Sequence, residues 1–194
     1  MMFFVAINAQ IRIELPYTET GLEIYPEKKI NSNGQGLYID NITKPEMYFY
    51  KAKGENITDK VFLINKFYKD KFGYKPKIAI LGLNPHCESI HKFNEDEEII
   101  KPTIKSLSKK FNVSGPYSAD TIFLKNNRKN FNVILGMYHD QVLTPLKALF
   151  EFDAINITLG LPFDRISPDH GPNEKMLGKN LSNPLSLFRA IQFL

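Results

Sequence analysis

Hydrophobic positions divide the chain into two textures. From residue 59 onward, apolar residues recur with alternating helical and strand periods. Val61, Ile64 and Tyr68 lie on one helical face, and Gly73 stands where that helix should end. Residues 77–83 are a short, nearly unbroken apolar run, the pattern of a strand buried on both faces of a parallel sheet. Ile100, Ile104, Leu107 and Phe111 return to helical spacing. Residues 132–137 predict a second buried strand, residues 154–159 a third, and residues 185–194 a closing helix. Strand–helix alternation of this kind predicts an α/β fold, a parallel-rich sheet with helices on both faces. Residues 1–58 read differently. They are rich in Tyr, Glu, Lys, Asn and Gly, with a loop signal over residues 31–36 and a strand at Met47, Tyr48, Phe49 and Tyr50. The expected division is therefore an irregular, β-leaning segment over 1–58, without a chemical motif, and an α/β portion over 59–194.

Composition narrows the function. Hydrophobic residues make up 43% of the 194, enough to build a core. Lys and Arg number 25 against 21 acids, a formal charge of +4. The basic residues are scattered, with pairs such as Lys28–Lys29 and Lys109–Lys110 the longest clusters, so no nucleic-acid face is expected. The mild excess suits an anionic substrate. Cys87 is the single cysteine, which excludes an intrachain disulfide and predicts a reducing, cytoplasmic setting. No apolar run approaches the ~20 residues of a membrane span. Residues 1–10 are apolar but lack the basic start of a signal peptide.

In open α/β sheets, ligands bind beyond the carboxyl ends of the strands. The polar residues of this chain gather there. The first predicted strand runs into Asn84, Pro85 and His86; the second into Tyr138, His139, Asp140 and Gln141; the third is followed by residues 160–171, which include Arg165, Asp169 and His170. Three strand ends are thus expected to deliver His, Asp or Arg to one rim. His86 and His139 could share a divalent ion, or each could cap a loop through hydrogen bonds. Asp120 could serve the same site or a turn. Lys147 and Arg165 could bind phosphate or carboxylate, or remain solvated surface charges.

Taken in order, these motifs carry a family resemblance. Residues 81–86 (Leu, Gly, Leu, Asn, Pro, His), 115–121 (Gly, Pro, Tyr, Ser, Ala, Asp, Thr) and 137–141 (Met, Tyr, His, Asp, Gln) are followed by Leu146 and Lys147. Residues 156–163 then lead to Arg165, Asp169, His170 and Gly171. From about residue 60 to 194 the chain resembles 4-hydroxythreonine-4-phosphate dehydrogenase, a family of pyridoxal phosphate (vitamin B6) biosynthesis. The resemblance implies an isocitrate/isopropylmalate dehydrogenase-like fold and oxidation of 4-phosphooxy-L-threonine with NAD (or NADP). The product is a 3-keto acid that decarboxylates to 3-amino-2-oxopropyl phosphate. It further implies a divalent metal (Zn, Mg, Mn or Co) with His86 and His139 among its ligands, and Asp120 and Asp140 orienting the site. Lys147, Asn156 and Arg165 would contact the phosphorylated substrate, with Lys147, Asp120 and Asp140 as the catalytic set. Leu161, Pro162, Ser167, Asp169, His170 and Gly171 would lie along the cofactor, and a homodimer would complete the site. A dihydrodiol dehydrogenase is a related alternative, and an inactive remnant or fusion fragment another.

The departures are equally specific. The family is longer, so the chain is expected to be a truncated form. Its third metal histidine lies in a Thr-His-Ile/Leu-Pro-Leu segment, yet no histidine here precedes His86. The family's Gly-His-Thr and N-terminal Gly-Asp/Glu-Pro-Ala-Gly-Ile-Gly segments are also absent. Residues 41–64 weakly resemble the opening strands of secreted carbohydrate esterases, without the nucleophile or oxyanion motifs. Cys87, beside His86, is expected to point away from the site, because neighbours on an extended chain face opposite ways. His91 reads as a loop histidine, and Pro172 stands where the family commonly has Thr near the cofactor.

Overall fold

A computed structural model of the chain describes residues 3–6, 55–87, 94–171 and 174–194. The loop over 31–36, the strand at Met47–Tyr50, His91 and Pro172 lie outside the described residues. The elements are β1 (Phe3–Ala6), α1 (Glu55–Phe72), β2 (Ile78–Leu81), a π-helical turn (Asp96–Ile100) that runs into α2 (Lys101–Leu107), β3 (Val113–Tyr117), the short α3 (Lys125–Arg128), β4 (Val133–Gly136), α4 (His139–Phe150), β5 (Ile155–Thr158), β6 (Arg165–Pro168), a 3-10 turn (Glu174–Met176) and α5 (Leu185–Phe193).

β1, β4, β2 and β3 form one sheet in that order, every pair parallel. The two apolar runs over 77–83 and 132–137 become β2 and β4, the inner strands, and all eight of their residues are buried. Their side chains alternate between two cores. Ile78, Ile80, Val133 and Leu135 meet Ile57, Val61, Ile64 and Tyr68 of α1 and Ile104 and Leu107 of α2. Ala79, Leu81 and Ile134 face the other way, onto Val142 of α4 and onto Ile122 and Phe123. Helices on both faces are therefore present. Burying each of these Ile, Leu or Val side chains stabilises the fold by about 1.5–3 kcal/mol relative to exposure.

The expected helical face of α1 is the buried one, and Gly73 ends the helix, its N–H reaching Lys69 O at 3.1 Å. Tyr68 crosses from α1 to donate its hydroxyl proton to Asn132 O at 3.2 Å. Burial, with the nearby Tyr74, lifts its phenol far above the ordinary range, so it stays a donor. Phe3–Ala6, within the apolar start of the chain, pair parallel with β4 and form the outermost strand of the sheet among the described residues.

One strand prediction is overturned. β5 does not extend the parallel sheet; it pairs antiparallel with β6 in a separate two-stranded hairpin and is mostly half-buried. A parallel partner would need a crossover of a dozen or more residues, and only residues 159–164 separate β5 from β6. An apolar run of this length does not encode its pairing direction.

Candidate functional site

β2, β3 and β4 end on the same side of the sheet because they run parallel. Beyond β2 the chain turns sharply. Asn84 Oδ1 accepts the N–H of His86 at 3.0 Å, and Asn84 O accepts that of Cys87 at 3.0 Å. Pro85 O accepts the Ala119 N–H at 3.0 Å, lacing this turn to the segment after β3. That contact sets His86 opposite Asp120, with Nδ1 3.3 Å from Oδ2. Beyond β4, Tyr138 is extended and His139 opens α4. His139 Nδ1 lies 2.6 Å from Asp140 Oδ1. Each histidine predicted as a ligand thus holds a predicted carboxylate on Nδ1, and Nε2 is the nitrogen it would present to an ion. Backing of this kind fixes the tautomer and ring orientation of metal-binding imidazoles. The donor chemistry suits a divalent ion, but among the described residues no three His, Cys, Asp or Glu side chains converge as a complete metal site.

Two rim residues take parts that the sequence did not assign: Asp96, which it did not single out, and Gln141, which it placed only within a motif. Asp96 is 1% exposed and accepts the N–H groups of Leu83 and Asn84 at 2.8 and 3.3 Å. Burial raises its carboxyl above the ordinary value, while those two N–H groups pull it back. In sequence it is one acid among Glu95, Glu97 and Glu98, which gives no hint of burial. Gln141 is also buried; its Oε1 accepts the Met137 N–H and its Nε2 donates to Gly82 O, both at 2.7 Å.

The extended-chain argument for Cys87 does not hold. The segment is a turn, and Cys87 has a left-handed φ of 58°. Burial and then the charge of Asp96 push its thiol up, against hydrogen bonds with Ser118 and Gly82. A thiol held protonated is a poor metal ligand.

The third predicted strand end does not join this rim: its residues lie in the hairpin, and the main sheet's other contribution is Asp120, after β3. Arg165 opens β6 and donates to Thr158 Oγ1 at 3.0 Å within the hairpin. Asn156 lies in β5 opposite Ser167, and Leu161 and Pro162 lie between the two strands. Lys147, on α4, donates to Asp169 O, and its Nζ lies 3.0 Å from Asp169 Oδ2, within ion-pair reach although poorly aligned for a hydrogen bond. Lys147 is therefore engaged by Asp169, one of the residues expected along the cofactor. His170 is exposed, its Nδ1 3.1 Å from Gly171 O.

Among the described residues, a four-stranded parallel sheet covered on both faces, with imidazole–carboxylate pairs at its rim, defines an α/β protein with candidate ligand-binding residues beyond its strand ends. The family model described as pyridoxal phosphate biosynthetic protein PdxA matches residues 49–194, well over half of the chain, and the chain belongs to that family. A 4-hydroxythreonine-4-phosphate dehydrogenase of Sulfurihydrogenibium sp. (strain YO3AOP1) is 49% identical over 141 residues, covering 71% of this chain and 43% of the relative. The enzyme of that name from Bradyrhizobium diazoefficiens is 40% identical over 141 residues, 71% of this chain and 41% of its own. Among solved structures, a 4-hydroxythreonine-4-phosphate dehydrogenase from Klebsiella pneumoniae aligns with a TM-score of 0.63 and 29% identity over 76% of this chain and 46% of that one. A terephthalate 1,2-cis-dihydrodiol dehydrogenase from Burkholderia xenovorans aligns at 22% identity and TM-score 0.54, a likeness of fold alone. The relatives are named dehydrogenases, an oxidoreductase family, and the chain spans less than half the length of each of these proteins. Among the described residues no helix is long and apolar enough to cross a membrane.

Proposed function

We propose that the rim formed by β2, β3 and β4 is the metal- and substrate-handling side of a cytoplasmic 4-hydroxythreonine-4-phosphate dehydrogenase of isocitrate/isopropylmalate dehydrogenase-like fold. The reaction is NAD- or NADP-dependent oxidation of 4-phosphooxy-L-threonine to a 3-keto acid that decarboxylates. The observation that carries this reading is the pairing of His86 with Asp120 and of His139 with Asp140, on strand ends that meet at one rim. Bound there, a divalent ion would polarise the substrate's hydroxyl group as a Lewis acid. His86 and His139 would hold it, and Asp120 and Asp140 would keep both imidazoles in the coordinating tautomer. Lys147, Asn156 and Arg165 would bind the phosphorylated substrate, and phosphate reaching Lys147 competes with Asp169 for its ammonium. Residues 161–171 would line the cofactor, and a second copy of the chain would close the site.

A second reading is a chain that binds the metal weakly and turns over little. It is favoured by the lack of a three-donor cluster among the described residues. One assay separates the two. NADH formation from 4-phosphooxy-L-threonine is followed with added Zn, Mn or Mg, beside a relative of full family length. The expectation is turnover far below the relative's, further reduced by His86→Ala and by His139→Ala. Turnover equal to the relative's would sink the second reading; metal binding and activity indifferent to both substitutions would sink the first.

A further inference from the structure

We propose that Asp169 is an internal counter-anion: it occupies the ammonium of Lys147 until a phosphate takes it, and its release loosens the β5–β6 hairpin. The inference rests on the reading above that Lys147 meets the phosphorylated substrate. Lys147 leaves the last turn of α4 and reaches the residue that follows β6. It donates to Asp169 O, and its Nζ lies 3.0 Å from Asp169 Oδ2. Backbone and side chain of one residue thus converge on one ammonium. Asp169 is itself held from behind. Ser186 of α5, 1% exposed, accepts the Asp169 N–H at 2.9 Å and donates to Ala154 O. That hydroxyl closes the hairpin beyond its last register, Ile155 with Pro168, where Pro168 has no N–H to offer.

The lysine is the open side of this contact: its side chain is 40% exposed, that of the aspartate 16%. Asp169 Oδ2 is buried and finds no hydrogen-bond partner among the described residues, so the nearby ammonium offsets its desolvation. A phosphate monoester carries about 1.5–2 negative charges and three acceptor oxygens, against the single charge of a carboxylate. Approaching from solvent, it meets the exposed side of Lys147 with the stronger attraction. Two anions on one ammonium repel each other, so Asp169 lowers the affinity for phosphate as long as it stays. Linkage makes the effect mutual: the factor by which Asp169 weakens phosphate binding is the factor by which phosphate weakens the Asp169 contact. Without that contact the hairpin keeps Ser186 and Arg189 of α5 and loses this tie to α4.

Inorganic phosphate, titrated calorimetrically into the full chain at fixed ionic strength, tests the proposal. Asp169→Asn keeps the backbone acceptor and removes the charge, and is expected to tighten phosphate binding about five- to tenfold, the lower range of coupling between sites. Glu174→Gln makes the same change of net charge at an exposed position and is expected to leave the affinity as it is. Lys147→Met is expected to lose phosphate binding, with or without Asp169→Asn. Amide exchange gives a second readout that needs no variant. Saturating phosphate is expected to quicken exchange in Ile155–Thr158 and Arg165–Pro168 of the wild type and to leave Ile78–Leu81 and Val133–Gly136 unchanged. Unchanged phosphate affinity in Asp169→Asn, a gain matched by Glu174→Gln, or hairpin exchange unmoved by phosphate overturns the counter-anion role and leaves the phosphate reading of Lys147 standing. Wild-type phosphate affinity in Lys147→Met overturns the two together.

Discussion

At the scale of single residues, Asp96 shows how a polar group is recruited into a buried position. Its carboxylate replaces the ladder partners that Leu83 and Asn84 lose as the chain leaves β2. Burial nonetheless dominates and raises its pKa above the ordinary 3.8. The folded protein therefore holds this proton more tightly than the unfolded chain does. The resulting stabilisation is complete below 3.8 and is lost as pH rises through the raised pKa. Asp96→Asn has no proton to release there. The stability of wild type minus that of Asp96→Asn should fall with rising pH across this window and level off above it, as read by urea denaturation at a series of pH values. A difference that rises with pH would mean that the two N–H groups, not burial, set the titration. Neither the burial nor the partners of Asp96 are visible in an acidic stretch of sequence, because both depend on where β2 delivers its last amides.

At the scale of elements, β2 and β3 approach so closely that one residue type is required. Gly115 has φ +141°, and a Cβ there would lie 2.3 Å from Ile80 O, on the backbone of the neighbouring strand. Gly115→Ala should lose about 1–3 kcal/mol to backbone strain and about as much again to overpacking that a rigid sheet cannot relieve. Denaturant unfolding at unchanged m-value is the measurement; a loss below about 1 kcal/mol would show that the strands can part. The inner strands themselves were legible from sequence, since four consecutive buried positions in each leave a short unbroken apolar signature at β2 and β4. α1 was legible for the complementary reason, with one buried apolar face; α5 was legible as a helix although its Leu187, Phe188 and Ile191 are exposed. β5 was legible as a strand and misplaced in the fold, because its partner is fixed by the short return through residues 159–164, not by its own residues. The histidines and their carboxylates were found from their placement after strands and from the family motifs. The Gln141 bridge was not, since nothing in a sequence tells which way a glutamine in the first turn of a helix will point.

At the scale of the whole molecule, the hairpin and α5 form a unit that meets the main sheet layer, among the described residues, through α1 and α4. Ser186 of α5 accepts the Asp169 N–H at 2.9 Å and donates to Ala154 O, and Arg189 reaches Asp153 at 2.7 Å, which ties α5 to both ends of the hairpin. Toward the main layer, Phe193 stacks on Phe67 of α1 with ring centroids 6.3 Å apart, and Lys147 of α4 meets Asp169. The Lys147–Asp169 pair is unequal: the side chains are 40% and 16% exposed respectively. Removing the lysine strands a largely buried carboxylate, whereas removing the acid leaves an ammonium that can reach water. Lys147→Met should therefore cost about 1–3 kcal/mol and Asp169→Asn less than about 1, with the double variant recovering most of the larger loss. Because the pair joins two units, the loss should be local. Amide exchange should quicken in Ile155–Thr158 and Arg165–Pro168 while Ile78–Leu81 and Val133–Gly136 keep their protection. Uniform acceleration across both sheets would show instead that hairpin and main sheet unfold as one. Local loosening would make the proposed substrate-facing role of Lys147 and the anchoring of the hairpin two outcomes of one contact, since phosphate that drew the lysine away from Asp169 would also release the segment proposed to hold the cofactor.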